Sequence, residues 1–396
     1  MNRTCAVRLV VCVFAILAVG GGPGWAGGPD VDSIADKLVN KLAGVQPGEV
    51  VVIQGNSDQQ ELLEALVVAV WQAGGQPTVE VNYPQANKKA FMEMPIEYMK
   101  FPQWYGLAQA RLVDCFINVA SVQDPSLFAD VPEERFEAFR EAGMPLQRAF
   151  QNSRFRAVNL GQTGGVPTAK YAASQNVDYG ALTDMFWKAV DTDYAALRKS
   201  AKSVAATLAS GEKVRVTSSI GTDITFAVGD VPPRINCGRP DDNVVPSGSM
   251  NSWLPAGEAF ATVRTGSANG TVVVPSMDFR GSALKNVKIT FKDGVMTEMS
   301  SESDLAGLRE FLDSTTGDTT MLSIVDVGLN PDSHPIVGSD YASWEMGGMV
   351  TLGMGANSWA GGSVVASGAL TFHLTGATLS VGDITVCEKG KLKISG

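Results

Sequence analysis

The stretch EVVVIQGNSDQQELLEALVVAVWQAGGQPTVEV, residues 49–81, decides the fold. Residues 49–55 (EVVVIQG) form a short, nearly unbroken apolar run, as expected of a strand buried on both faces of a parallel sheet. Residues 59–73 carry apolar side chains at helical spacing and stop at Gly74-Gly75, which predicts a helix closed by a glycine cap. Residues 76–81 (QPTVEV) read as a second strand. Strand, helix and strand within about 30 residues make a right-handed βαβ unit. The turn after Gly55, NSDQQ, lacks the glycines of a dinucleotide or phosphate fingerprint, so a Rossmann cofactor site is disfavoured.

Upstream, residues 32–42 repeat Ile34, Leu38 and Leu42 on one helical face. Further upstream lie Arg3, Arg8, the apolar run 9–19 (LVVCVFAILAV) and Gly24-Trp25-Ala26. These are the three regions of a signal peptide over residues 1–26, with a mature chain beginning near Gly27 outside the cytoplasm, periplasmic or extracellular. The apolar run is too short to span a bilayer. Downstream, a strand is expected over 112–119 and an amphipathic helix over 132–142 with Phe136 and Phe139 inward. A further strand follows over 154–160, then alanine-rich helical segments over 169–173 and 181–209.

Near Gly211 the period changes from helical to two: KVRVT (213–217) and DITFAV (223–228) alternate around a turn. Short strands and glycine turns then run to the C-terminus, interrupted by one helix over 304–312. The reading is an α/β N-terminal domain over 27–209 built of parallel βαβ units, and a mainly antiparallel, β-rich C-terminal domain over 210–396.

Composition narrows the function. Hydrophobic residues make up 45% and charged residues 18% of the 396, which describes a folded globular chain. The net charge of -10, with no basic run or stripe, removes the electrostatic footprint of a nucleic-acid binder. Only His334 and His373 are present, which restricts every metal or acid–base scheme. Cys5 and Cys12 fall in the leader; Cys115, Cys237 and Cys387 allow at most one intramolecular disulfide. Cys115, within DCFINVA, reads as a buried strand thiol.

Chemistry is concentrated in the C-terminal half. In WLPAGEAFATVRTGSANGTVVVP (253–275), Glu258 follows a Leu-Pro-Ala-Gly turn at the mouth of a strand, and two strand-like runs flank the Gly266–Gly270 turn. A carboxylate there serves either as a metal ligand or acid–base group, or as a solvated turn residue. Trp253 and Trp359 are the candidate substrate-binding side chains, with Trp344 and Phe372 either lining the same pocket or packing in the core. His334, between Asp332 and Pro335, reads as a surface loop residue. The glycines at 353, 355, 361 and 362 suit bulges and left-handed turns better than a phosphate cradle, since no helix follows them.

Several blocks together resemble the aminopeptidase T family of leucyl aminopeptidases: LVNKLAGVQPGEVVVIQG (38–55), DVPEERFEAFREA (130–142), VPTAKYAASQNVDYGALTDMFWKAV (166–190), LPAGEAFAT (254–262), VDVGLNP (325–331), GGMVTLGMGANSWAGG (347–362) and ATLSVGD (377–383). The resemblance implies an α/β domain followed by a β-rich metal-binding domain, homodimers, and exopeptidase chemistry on peptides with a divalent metal: zinc, cobalt or manganese. It implies Glu258 as a ligand, in the family's Gly-Glu-x-Phe motif. At the family's second glutamate this chain has Ile324, and at a ligand histidine it has Thr351. The family's His-x-Asp falls either on Leu370 and Phe372 or, with a short gap, on His373 and Thr375.

Two hydrolytic metals about 3.5–4 Å apart need several deprotonated ligands aimed at one point, which Ile, Thr and Leu do not supply. Asp326 reads either as a substitute ligand, because residues 324 and 326 face the same side of a strand, or as a hydrogen-bonded carboxylate packed by a turn. Glu258, Asp326 and His373 would hold one ion, with water in the open position. Three readings follow: an exported aminopeptidase with a reduced metal site, a catalytically inactive relative that binds peptides or a protein partner, and single-metal chemistry of the kind found in the superfamily's dihydroxypyridine dioxygenases. None involves nucleic acid, or a membrane once the leader is removed.

Overall fold

The computed structural model describes residues 30–121, 127–128, 130–161, 165–240, 250–279, 282–336, 339 and 341–394. The signal-peptide reading over 1–26 lies outside the described residues. Strands in chain order are β1 (Val50–Asn56), β2 (Gln76–Asn82), β3 (Cys115–Asn118), β4 (Arg156–Leu160), β5 (Val214–Thr217), β6 (Asp223–Phe226), β7 (Arg234–Asn236), β8 (Met250–Leu254) and β9 (Glu258–Thr262). They continue as β10 (Asn269–Phe279), β11 (Ser282–Lys292), β12 (Val295–Ser300), β13 (Leu322–Gly328), β14 (Val350–Gly355), β15 (Ala369–Leu374), β16 (Thr378–Val381), β17 (Ile384–Glu388) and β18 (Lys391–Leu392).

Three sheets result. The first is parallel, in the order β2-β1-β3-β4-β8. Its central strands β1 and β3 are buried almost throughout, as the unbroken valine run of β1 requires, while the edge strand β2 is largely exposed. The helix Gln60–Gln72 turns Leu62, Leu66 and Val70 fully inward; each such burial contributes roughly 2 kcal/mol. The second sheet is antiparallel, in the order β12-β11-β10-β6-β5-β16-β17-β18. The third is antiparallel, in the order β15-β14-β13-β9-β7, and carries the residues of chemical interest. No helix among the described residues is long and apolar enough to cross a membrane.

Several expectations need adjustment. The runs on either side of the Gly266–Gly270 turn are strands, but they enter different sheets: β9 pairs with β13 and β7, whereas β10 pairs with β6 and β11. All five residues of β9 are buried, so it needs cover on both faces that a lone hairpin would not give. The alanine-rich segment 181–209 splits into Tyr179–Val190 and Tyr194–Leu208. Asp193 starts the second helix by accepting hydrogen bonds from the Ala195 and Ala196 amides at 2.9 and 3.1 Å. The helix expected over 132–142 runs Glu133–Gln151, and Phe139 lies 44% exposed against Phe91, ring centres 4.9 Å apart, rather than in the core. Ala138 and Ala142 take its place inward. Cys115, Cys237 and Cys387 are all buried.

The chain also returns to the first sheet after residue 210. β8 extends the parallel sheet beside β4, with Arg156 opposite Met250 and Leu160 opposite Leu254. Four residues later β9 begins in the third sheet, so Trp253–Glu258 is the joint between the two.

Candidate active site

The third sheet has two unlike faces. On one, Ile235, Ala259, Ala261, Val325, Val327, Leu352, Leu370, Phe372 and Leu374 join the main apolar core. Phe372 is therefore a core residue and lines no pocket, and Leu370 points the same way. On the other face, register places Arg234, Phe260, Asp326, Thr351 and His373 in one row across five strands. Residues directly opposite on paired strands share a face, so these side chains stand side by side. The adjacent row holds Asn236, Glu258 and Gly328. Alternation along the strands thus puts Glu258, Asp326 and His373 on one surface, with Thr351 between the last two.

Glu258 is buried, not a solvated turn residue. Its Oε1 accepts a hydrogen bond from Asn236 Nδ2 at 3.0 Å and another from the Trp253 indole N–H. Asn236 is itself fixed, donating to the Trp253 carbonyl at 2.9 Å and accepting from Ser252 Oγ at 3.0 Å. The joint between the two sheets therefore orients this carboxylate. Burial pushes its pKa up to about 7, against the pull of hydrogen bonds from Asn236 and Trp253 and with Asp326.

Asp326 is fully buried, and neither of its oxygens meets a hydrogen-bond donor. Burial raises its pKa well above the carboxylate range, and the charges of Glu258 and Glu345 raise it further. Glu345 comes from the loop before β14, which lies directly on Gly328: any Cβ there would overlap the Trp344 and Met346 carbonyl oxygens. Burial first, then the charge of Glu258, lifts the Glu345 pKa as well. Three carboxyl groups thus share one water-poor region.

His373 stands at the edge of this cluster. Its Nδ1 lies 2.8 Å from Thr351 Oγ1, and its ring meets Trp344 edge-on at 5.5 Å. Aromatic rings wall the face: Phe260 lies 6.2 Å from Trp253 and 5.3 Å from Trp359, and Trp359 lies 6.4 Å from Trp344 at 86°. Trp359 remains 43% exposed. Arg234 donates to the Trp359 carbonyl at 3.1 Å. His334 is exposed in its loop, its ring near the Asp332 carbonyl.

The donor set decides which metal arrangement these residues can hold. Ile324, which the family resemblance sets at a ligand glutamate, lies in an apolar cluster with Phe260 and Ala360. Among the described residues, no three His, Cys, Asp or Glu side chains come together as a metal-holding group. A pair of protein-bound metals does not fit. One divalent cation does fit the chemistry of the Glu258–Asp326 pair, since it would satisfy the two bare oxygens of Asp326 and offset the crowded negative charge.

Residues 29–344 match the thermophilic metalloprotease (M29) family, and the chain belongs to it. Among solved structures, wild-type AmpT from Thermus thermophilus is similar at 14% identity and a TM-score of 0.72, covering 92% of this chain and 99% of its own. The 2,5-dihydroxypyridine dioxygenase from Pseudomonas putida KT2440 is similar at 14% identity and a TM-score of 0.60, covering 91% and 96%. At that identity each shares the fold. No curated protein matches the sequence.

Proposed function

We propose that this chain is an exported aminopeptidase that removes N-terminal residues from peptides with the help of one divalent cation. The observation that carries the reading is Asp326, whose two buried oxygens lack any donor beside a second carboxyl group, in a chain of a metalloprotease family. Glu258 and Asp326 would hold the cation, with His373 and Glu345 close by. Bound there, it would supply Lewis acidity toward a peptide carbonyl.

The chain's own residues do the rest. Trp253 and Asn236 fix Glu258 Oε1, so its carboxyl group keeps one orientation as charge changes. Trp344, Trp359 and Phe260 exclude bulk water and offer apolar contact to the first side chain of a peptide.

The test combines metal analysis of the purified mature protein with hydrolysis of aminoacyl amides. Stoichiometric zinc, cobalt or manganese, with turnover abolished by a chelator and by Glu258→Gln, is the expected result. His373→Ala should weaken affinity for the ion. Wild-type protein that binds no divalent ion in excess refutes the metalloenzyme reading.

A second reading has its own support: Ile324 and Thr351 stand where the family resemblance implies ligands. On that reading the face binds peptides without cleaving them, and a labelled peptide should bind the wild type without turnover. Export and dimerisation belong to the same proposal. Amino-terminal sequencing should find a start near Gly27, and light scattering should find two copies.

A further inference from the structure

We propose that Asn330 is the positioning residue of this site, a clamp that sets the relative placement of Glu258 and Glu345. The inference rests on the reading of these carboxyl groups as the functional centre. Asn330 lies just past β13, in the Gly-Leu-Asn-Pro turn, and is fully buried. Its Nδ2 donates to the Ala256 carbonyl at 2.7 Å and to the Ala189 carbonyl at 2.9 Å. The first bond grips the turn that leads into Glu258. The second ties that turn to the last residues of the helix Tyr179–Val190.

The same residue holds the other carboxyl group through its backbone. The Asn330 N–H donates to the Glu345 carbonyl at 2.7 Å, and the Asn330 carbonyl accepts from the Gly347 N–H at 2.9 Å. Its Oδ1 accepts from the Asp332 amide at 2.9 Å, which fixes the side chain's own rotamer. Gly257 completes the fit: a Cβ there would come within 2.8 Å of the Asn330 nitrogen and Cβ. Leu329 adds a bond from its N–H to the Gly257 carbonyl at 2.7 Å.

All the polar atoms of one side chain are spent on three segments far apart in sequence. No aspartate does this work, because it would offer no donor to Ala256 or Ala189 and would add charge beside Glu345. A shorter side chain leaves two buried carbonyls without partners. The clamp also gives the helix Tyr179–Val190 a direct mechanical line to the site. Tyr341 reinforces that line, donating from its hydroxyl to the Gly165 carbonyl at 2.6 Å and packing on Phe186.

The test uses the full chain with Asn330→Ala, Asn330→Asp and a control, Thr222→Val. The control removes another buried pair of hydrogen bonds, those between Thr222 and Val273 in the second sheet. Amide hydrogen exchange is followed by mass spectrometry, at a temperature where all variants are folded. Exchange over residues 256–258 and 344–347 should rise about tenfold or more in both Asn330 variants and stay at the wild-type rate in the control. Mn(II) affinity, measured alongside, should fall by about tenfold in the Asn330 variants and hold in the control. Exchange in those two segments that changes no more than in Thr222→Val overturns the clamp. Wild-type protein that binds no Mn(II) overturns the metal reading, while the exchange result still decides the role of Asn330.

Discussion

Replacing Glu258 with glutamine should stabilise the ion-free protein at alkaline pH and leave its stability nearly unchanged at acid pH. The buried carboxyl group has a pKa near 7 in the folded protein and 4.5 in the unfolded chain. Between those values the folded state holds more protons than the unfolded one, so stability falls as pH rises. The favourable contribution is complete below about pH 4.5 and gone above about pH 7. A rise from 4.5 to about 7 corresponds to roughly 3 kcal/mol. Glutamine keeps the oxygen that accepts from Asn236 and Trp253, and its amide donates toward the bare oxygens of Asp326. Urea unfolding in EDTA, at pH 4.5 and pH 8, measures the difference between variant and wild type. The advantage of the variant should grow by roughly 3 kcal/mol between the two, and somewhat more if Asp326 and Glu345 ionise more easily beside it. A difference that is the same at both pH values would mean Glu258 titrates as an exposed carboxylate does, and the reasoning fails.

Divalent-ion affinity should drop steeply as pH falls below about 7, because an ion at Glu258 and Asp326 must displace their protons; calorimetry in two buffers of different ionisation enthalpy should show proton release. Gly328→Ala drives a methyl group into the Trp344 and Met346 carbonyls, so it should cost roughly 2 kcal/mol or more and shift tryptophan emission; an unchanged melting temperature counts against the packing described. Proteolysis near residues 200–212 should nick the chain without separating its halves, since β8 lies in the first sheet; two fragments that part on gel filtration without denaturant would contradict that.

The parallel sheet was legible because its central strands carry apolar side chains on both faces, as the valine run of β1 does, and because Gly74 marks the helix end. Glu258, Asp326 and His373 were readable as candidates, since strand alternation sends 258, 326 and 373 to a common face once the strands are paired. Glu345 escaped notice. It lies outside any strand, and only the fold shows that its loop rests on Gly328 beside Glu258. A carboxylate set between Trp344 and the Gly347-Gly348 pair was the available signal. The fates of β9 and β10 were equally hidden, because local sequence shows a turn and two strands but not which sheets receive them. Phe139 misled for a related reason: helical spacing identifies an apolar stripe, and the small Ala138 and Ala142 took the inward positions.

The placement of β8 has a consequence for synthesis. A ribosome delivers β1 to β4 early, and these four strands could begin to assemble on their helices. Their sheet stays open along the β4 edge until Met250–Leu254 emerges, a closure over the whole of the helices Ala169–Ser174, Tyr179–Val190 and Tyr194–Leu208 and three further strands. Contacts of such long sequence separation form slowly, and an uncapped apolar strand edge invites pairing with another chain. During that interval the nascent protein presents the edge of Arg156–Leu160 to its surroundings. A chaperone that shields extended apolar segments would find its substrate in this window, and a stop codon shortly before residue 250 should yield aggregates rather than a folded N-terminal half.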